Sequence, residues 1–177
     1  AAAGLVTAPS SSVTVEYGAT DADGDTVQVD LFYSSAAGAS CDESVDAAGG
    51  SWAVIASAQP GGTGQQYGWT VPAVSGTYAV CGRVTDSKQN VYELAPGSVT
   101  INAPPTIALT EPMGANDVVS SGSNFNLQMT VSDADDAAKF DVYVSAASTG
   151  CDSSGIGGWT SLASDLADTT TSYSWTA

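Results

Sequence analysis

Hydrophobic and polar residues alternate along most of this chain. Residues 13–17, 27–31 and 124–129 each place apolar side chains at every second position. A period of two predicts strands with one buried and one exposed face. The same pattern predicts further strands at residues 52–55, 66–71, 77–84, 99–101, 106–110, 140–144 and 172–176. Gly, Ser, Asp and Pro fill the intervals, which is turn chemistry, so we expect an all-β fold made of antiparallel sandwiches.

The pattern occurs twice. Residues 12–23 match 124–135, residues 67–70 match 173–176, and Cys41 and Trp52 return as Cys151 and Trp159. The offset drifts only from 112 (135 − 23) to 106 (175 − 69), as expected when loops alone change length. A repeat at nearly fixed period predicts two tandem domains, residues 1–102 and 103–177. The prolines at 104 and 105 predict a short, semi-rigid linker between them.

The second copy is incomplete at its C-terminal end. The first repeat continues after residue 70 through two more predicted strands to Asn102, whereas the second stops at Ala177. The second sandwich therefore lacks the counterparts of the last two strands. We expect that the chain belongs to something longer, or that another chain completes it.

Composition narrows the possible partners. The 177 residues include 3 Lys and Arg against 19 Asp and Glu, for a net charge of −16. Nucleic-acid binding needs clustered basic residues, and anionic membrane surfaces attract them, so neither partner is expected. No apolar run is long enough to insert into a membrane. A polar surface composed mostly of Ser, Thr, Gly, Asn and Gln suits an extracellular or cell-surface protein.

The absence of histidine limits catalysis. Without it the usual general base, the Ser-His-Asp and Cys-His nucleophiles and most zinc sites are missing. A glycosidase with two carboxylates stays open on composition alone. However, most carboxylates fall in predicted turns, and a small sandwich offers no deep cleft. We therefore expect no enzymatic activity.

Three segments carry a family resemblance. Residues 104–115, 19–25 and 76–87 resemble the opening, the B–C turn and the F strand of bacterial Ig-like domains, and cadherin-like and PKD-like modules share these phrases. The resemblance implies two tandem Ig-like β-sandwiches of a secreted or cell-surface protein. It implies a fold much more than a function, because this sandwich hosts many unrelated activities.

The resemblance also implies a disulfide. In the Ig-like topology the regions of Cys41 and Cys81 lie close, so we predict that these two cysteines pair. The partner of Cys151 would then be the counterpart of Cys81, which falls beyond Ala177. The alternative is three reduced cysteines in a cytosolic protein, since disulfides follow an oxidising compartment.

An acidic turn suggests a cation. Asp21, Asp23 and Asp25 place three carboxylates on alternate residues, and calcium prefers such oxygen ligands. Asp86 and Asn90 would join them, because the B–C and F–G loops of an Ig-like domain share one end. The counterparts in the second repeat are Asp133, Asp135 and Asp136. The alternative is that Asp and Gly simply form turns well, and the sequence leaves both interpretations open.

The tryptophans recur at matching positions, which favours core packing over a ligand platform. They are Trp52, Trp69, Trp159 and Trp175. We therefore predict a structural or adhesive module: a rod-like segment of an adhesin, a surface layer (S-layer) or an extracellular filament. Its partners would be neighbouring Ig-like repeats or identical subunits, with strand donation as one mode of assembly. The alternative is a carbohydrate-binding or spacer module of a secreted hydrolase, with a glycan as partner.

Overall fold

The computed structural model describes residues 4–47, 49–86, 88–113, 118–146, 151 and 158–177. These residues form β-strands, turns and one short 3-10 helix at Glu43–Asp46, and none of them lies in an α-helix. The chain divides into two compact units, Ala1–Ala103 (unit 1) and Pro104–Ala177 (unit 2).

Unit 1 contains two sheets. The larger has the strand order β1-β7-β6-β3-β4, and the smaller pairs β2 with β5. Their bounds are β1 Leu5–Thr7, β2 Ser12–Ala19, β3 Gln28–Ser34, β4 Ala53–Pro60, β5 Gly62–Thr70, β6 Gly76–Thr85 and β7 Asn90–Ile101. Of the strand pairs described in unit 1, β1 with β7 is parallel and the others are antiparallel.

The core of unit 1 lies between these sheets. Val13 and Trp69 of the small sheet pack against Tyr78, Val80 and Ile101 of the large sheet, and all five are buried. A second cluster, at the other end, contains Ala19, Val27, Val29, Leu31 and Ala56. The period-two pattern of the sequence supplies these inward residues, and the packing is that of a β-sandwich.

Unit 2 also contains two sheets. The first has the order β12-β9-β8, and the second pairs β10 with β11. Their bounds are β8 Thr106–Glu111, β9 Asn124–Ser132, β10 Lys139–Val144, β11 Thr160–Ala167 and β12 Ser172–Thr176. Every described pairing in unit 2 is antiparallel.

The two units share their strand registers. The cross-strand pairs Val13–Trp69 and Val15–Tyr67 correspond to Phe125–Trp175 and Leu127–Tyr173. The pairs Leu31–Ala56 and Phe32–Val54 likewise correspond to Val142–Ala163 and Tyr143–Ser161. The sequence repeat is therefore also a repeat of strand pairing.

Even a bulge is repeated. In unit 1 Asp30 accepts the backbone N–H of Ala58 at 2.7 Å, and in unit 2 Asp141 accepts that of Asp165 at 2.8 Å. Ala58 and Asp165 have positive φ values, 52° and 56°, which non-glycine residues rarely adopt. The carboxylate compensates for the local loss of ladder hydrogen bonds, so the acidic residue inside an apolar strand has a structural role.

Candidate interaction site

In unit 1, a loop covers the outer face of the large sheet. The predicted disulfide between Cys41 and Cys81 is present, with 5.6 Å between the two Cα atoms. Cys81 is fully buried and packs with Phe32 and Val45. This cluster lies on the face of β6 opposite to Val80, so the disulfide fastens the β3–β4 loop to the sheet and does not join the two sheets.

An ionic network lies beside the disulfide. Arg83 pairs with both Asp30 and Asp46, and its Nε donates to the Asp30 carboxylate at 3.0 Å. The hydrogen bond to Asp46 raises the pKa of Arg83, and the guanidinium lies 5.9 Å from the Phe32 ring centroid. Burial, followed by a 3.0 Å hydrogen bond to Asp46, raises the pKa of the Tyr92 hydroxyl. These contacts fix the 3-10 helix to strands β6 and β7.

Sequence reasoning did not identify this network, although a signal was present. Asp30 and Ser34 sit in an apolar strand and both recur in the second repeat, as Asp141 and Ser145. Strand alternation also places Cys81 and Arg83 on one face of β6. A polar residue kept inside a repeated strand indicates a buried partner.

Unit 2 has this site without its β6 side. Asp141 accepts the Asp165 N–H and the Tyr143 hydroxyl, the latter at 3.2 Å, and no arginine pairs with it in the described part of the chain. Strand β3 lies between β4 and β6, whereas its counterpart β10 has β11 as its one strand neighbour among the described residues. Cys151, the counterpart of Cys41, is an exposed free thiol.

An apolar groove follows from this open edge. Between the two sheets of unit 2 lies a cavity of about 290 Å³, lined by Leu109, Phe125, Leu127, Trp159, Leu162 and Trp175 among others. In unit 1 the corresponding surface of Val13 and Trp69 is covered by Tyr78 and Val80. Leu109 is 65% exposed, and a strand placed on this surface would reduce that exposure. Within the described ranges, unit 2 thus has an unpaired β10 edge next to unburied apolar side chains, a geometry that can accept an added strand.

The tryptophans divide between three environments. Trp69 is buried in the core, as expected, but Trp52 packs against the outer cluster and donates its indole N–H to the Ser40 carbonyl at 3.0 Å. Trp159 and Trp175 line the groove of unit 2. The Trp159 N–H is buried and has no acceptor within the described ranges.

The acidic turns of unit 1 lie together at one end. Asp21 accepts the N–H groups of Asp23 and Asp25 at 2.8 and 3.2 Å, and Asp25 pairs with Lys88. Asp86 accepts the N–H groups of Gln89 and Lys88, each at 2.8 Å, and these bonds lower its pKa. The amide of Asn90 instead faces the Tyr92 hydroxyl, at 3.5 Å.

The acidic turn of unit 2 is simpler. Asp133 accepts the N–H of Asp135 at 3.3 Å, and Asp136 is exposed. No cluster of three or more His, Cys, Asp or Glu is arranged to hold a metal ion within the residues that the structure describes. Calcium binding at either turn stays a prediction.

Comparisons with known proteins add no identity. No protein-family model matches the chain, and no curated protein matches it either. Among the described residues, no helix has the length and apolar content that crossing a membrane requires.

Proposed function

We propose that this chain is a structural module of an extracellular protein, built from tandem Ig-like β-sandwiches and forming a rod-like segment of a surface protein, surface layer or filament. The observation that carries the proposal is the repeated strand register of the two units. A sandwich repeated within one chain extends a protein by a fixed increment for each copy. The proposed partners are neighbouring repeats or identical subunits.

The Ig-like assignment is supported by strand order and by one tyrosine. In unit 1, β2 and β5 face a sheet in which β3 and β6 are central. The Tyr78 hydroxyl donates to the Val74 carbonyl at 2.9 Å. A tyrosine near the start of the sixth main strand, bonded back to the preceding corner, is a hallmark of Ig-like sandwiches.

The extracellular assignment is supported by the disulfide and the charge. Cys41–Cys81 would be reduced in a cytosol and persists in an oxidising compartment. A net charge of −16 keeps closely spaced copies hydrated and apart.

Strand addition is the proposed means of assembly at unit 2. The β10 edge and the groove beside it would receive a strand pair with the pattern of β6 and β7. Such a pair would bring a cysteine toward Cys151 and an arginine toward Asp141, as Cys81 and Arg83 do for Cys41 and Asp30 in unit 1. Main-chain hydrogen bonds would supply affinity, and these two residues would set the register.

A synthetic peptide tests this assembly. The peptide comprises residues 76–101 of this chain, and it is mixed with the full chain in a glutathione redox buffer. We expect a disulfide between the peptide cysteine and Cys151, detected by mass spectrometry after proteolysis. The matched control peptide carries Arg83→Gln and should cross-link more slowly, because glutamine cannot form the proposed ion pair with Asp141. Equal rates for both peptides, or no adduct at Cys151, would refute strand addition at this edge.

The acidic turns complete the proposal as candidate calcium sites. The backbone hydrogen bonds to Asp21 and Asp86 use one carboxylate oxygen of each residue, and they orient the second oxygen of both groups. The ammonium group of Lys88 lies at Asp25, so a cation there would have to displace it. Calcium bound at this end would stiffen the two acidic turns of unit 1.

A further inference from the structure

Unit 1 has an open groove of its own, which lies beside strand β2. Strand β2 pairs with β5 along one edge, and among the described residues no strand pairs with its other edge. Beside that edge lies a cavity of about 220 Å³, lined among others by Tyr17, Ala19, Leu31, Val84, Ala95 and Pro96. The described chain before β2 does not cover it, because β1 lies against β7 instead.

Unit 2 shows what belongs at this position. There the corresponding edge of β9 is occupied by β8, which pairs with residues 128–132. At the repeat offset of 112 these residues correspond to residues 16–20, of which residues 16–19 lie in β2 and border the groove of unit 1. Turn geometry supports this offset. Ser10 and Gly122, which differ by 112 in number, both have positive φ, 57° and 82°.

We infer that the groove beside β2 is a binding site for one extended strand from a neighbouring repeat, with the sequence pattern of β8 and antiparallel to β2. The inference rests on the structural equivalence of the two units, which also underlies the proposed function. Its site lies in unit 1, whereas the strand-addition test above addresses unit 2, so each can fail alone.

The β8 register fixes which residues would face the groove. Ile107 pairs with Val131 and Leu109 with Met129, so in unit 1 the two apolar side chains would lie opposite Ala19 and Tyr17. Both point inward from β2. In unit 2 Ile107 and Leu109 are 59% and 65% exposed. Residues of β6 and β7 line the groove of unit 1, and such side chains would be buried against them.

Charge further restricts the occupant. Glu16 and Glu93 border the groove, so acidic side chains in the strand would meet like charges. Thr106, Ala108 and Thr110 of β8 carry none, but Glu111 pairs with Gln128, the counterpart of Glu16, so a neutral residue is needed in its place. The site therefore selects a neutral strand with apolar residues at alternate positions.

Site-specific disulfide trapping tests the register. The full chain carries Cys151→Ser and Gly18→Cys, and the peptide comprises residues 104–112 with Ala108→Cys and Glu111→Gln. Ala108 pairs with Thr130, the counterpart of Gly18, and Glu111→Gln removes the charge that would lie opposite Glu16. A Cβ at Gly18 would approach the Gly62 carbonyl oxygen to 3.7 Å, which is ordinary contact, so the cysteine fits. The control places the cysteine at Thr14, an exposed position on the same face of β2 but outside the predicted register.

We expect trapping in glutathione buffer to be about ten-fold faster or more at position 18 than at position 14, which corresponds to about 1.4 kcal/mol of preference. The same peptide with Ile107→Asp and Leu109→Asp should lose this preference, because its inward face no longer suits the apolar groove. Equal trapping at the two positions, or trapping that the aspartates leave unchanged, would overturn the inference. Circular dichroism of both variants establishes that unit 1 is folded during the measurement.

Discussion

Removing the disulfide should destabilise unit 1 by a large fraction of its total stability. The appropriate variant is Cys41→Ser in a Cys151→Ser background, which leaves the fully buried Cys81 thiol in place and avoids a cavity. The cross-link joins residues 40 apart in sequence. In the chain-entropy model, closing a loop of that length stabilises by about 4 kcal/mol. Small domains have about 5–15 kcal/mol in all, so the effect should be easy to measure.

The structure indicates that most of this effect acts on the unfolded state. Phe32, Val45 and the pairing of Arg83 with Asp46 still hold the β3–β4 loop on the sheet when the cross-link is absent. The folded structure should therefore survive the substitution. The unfolded chain of the variant gains conformational freedom, which lowers the free energy of unfolding without loss of a native contact.

Urea unfolding followed by tryptophan fluorescence measures the change. With an m-value of about 1–2 kcal/mol per molar urea, the midpoint of unit 1 should fall by about 2–4 M. The reduced Cys151→Ser parent is the control and should match the variant. A midpoint shift below about 0.5 M would show that packing, and not chain entropy, holds the loop.

Four further predictions concern single side chains and calcium. Asp30→Asn breaks a largely buried ion pair and should cost about 3 kcal/mol in urea unfolding; Asp141→Asn, with no arginine partner among the described residues, should cost about 1 kcal/mol. Tyr78→Phe removes the 2.9 Å corner hydrogen bond and should cost about 1 kcal/mol by the same measurement. The hydrogen bond from Ser44 lowers the pKa of Asp42 below its ordinary value of 3.8. The ionised carboxylate therefore stabilises the folded state above that pH, and this contribution is lost as the pH falls through the lowered pKa. In Asp42→Asn the urea midpoint should depend less on pH between about pH 5 and pH 2. Millimolar calcium should raise the melting temperature relative to chelator, and more so in Lys88→Gln, where no ammonium group competes at Asp25; no shift in either protein would dismiss the calcium site.

The strands were predictable where one face is buried without interruption. Residues 13–17 of β2 alternate strictly because the inward positions pack between the sheets, and the predicted segment lies within the observed strand. Strand β11 was missed, because the bulge at Asp165 shifts the apolar positions out of period two. Residues 90–98 of β7 were missed for a related reason: Pro96 and Gly97 lie at a bulge in the strand and are typical turn residues.

The site was predictable only in its covalent part. The repeat and the Ig-like resemblance placed Cys41 near Cys81, and that pairing is present. Neither predicted that the disulfide lies on the outer face of the sheet, because strand alternation separates the side chains into two faces but does not indicate which face a loop covers. A loop with a single buried residue in its helical turn, Val45, covers that face, and so few apolar positions carry no periodic signal.

The two open grooves have one physical cause. In unit 1 the groove lies where a first strand like β8 would meet β6 and β7, whereas the described residues of unit 2 include β8 but no counterpart of β6 and β7. The sandwich places its first and last strands side by side, so a repeat closes only when residues far apart in sequence come together. At this position of unit 2 the side chains of Ile107 and Leu109 are exposed. On the proposed mode of assembly, these side chains would be buried either by strands of their own repeat or by strands of a neighbouring one.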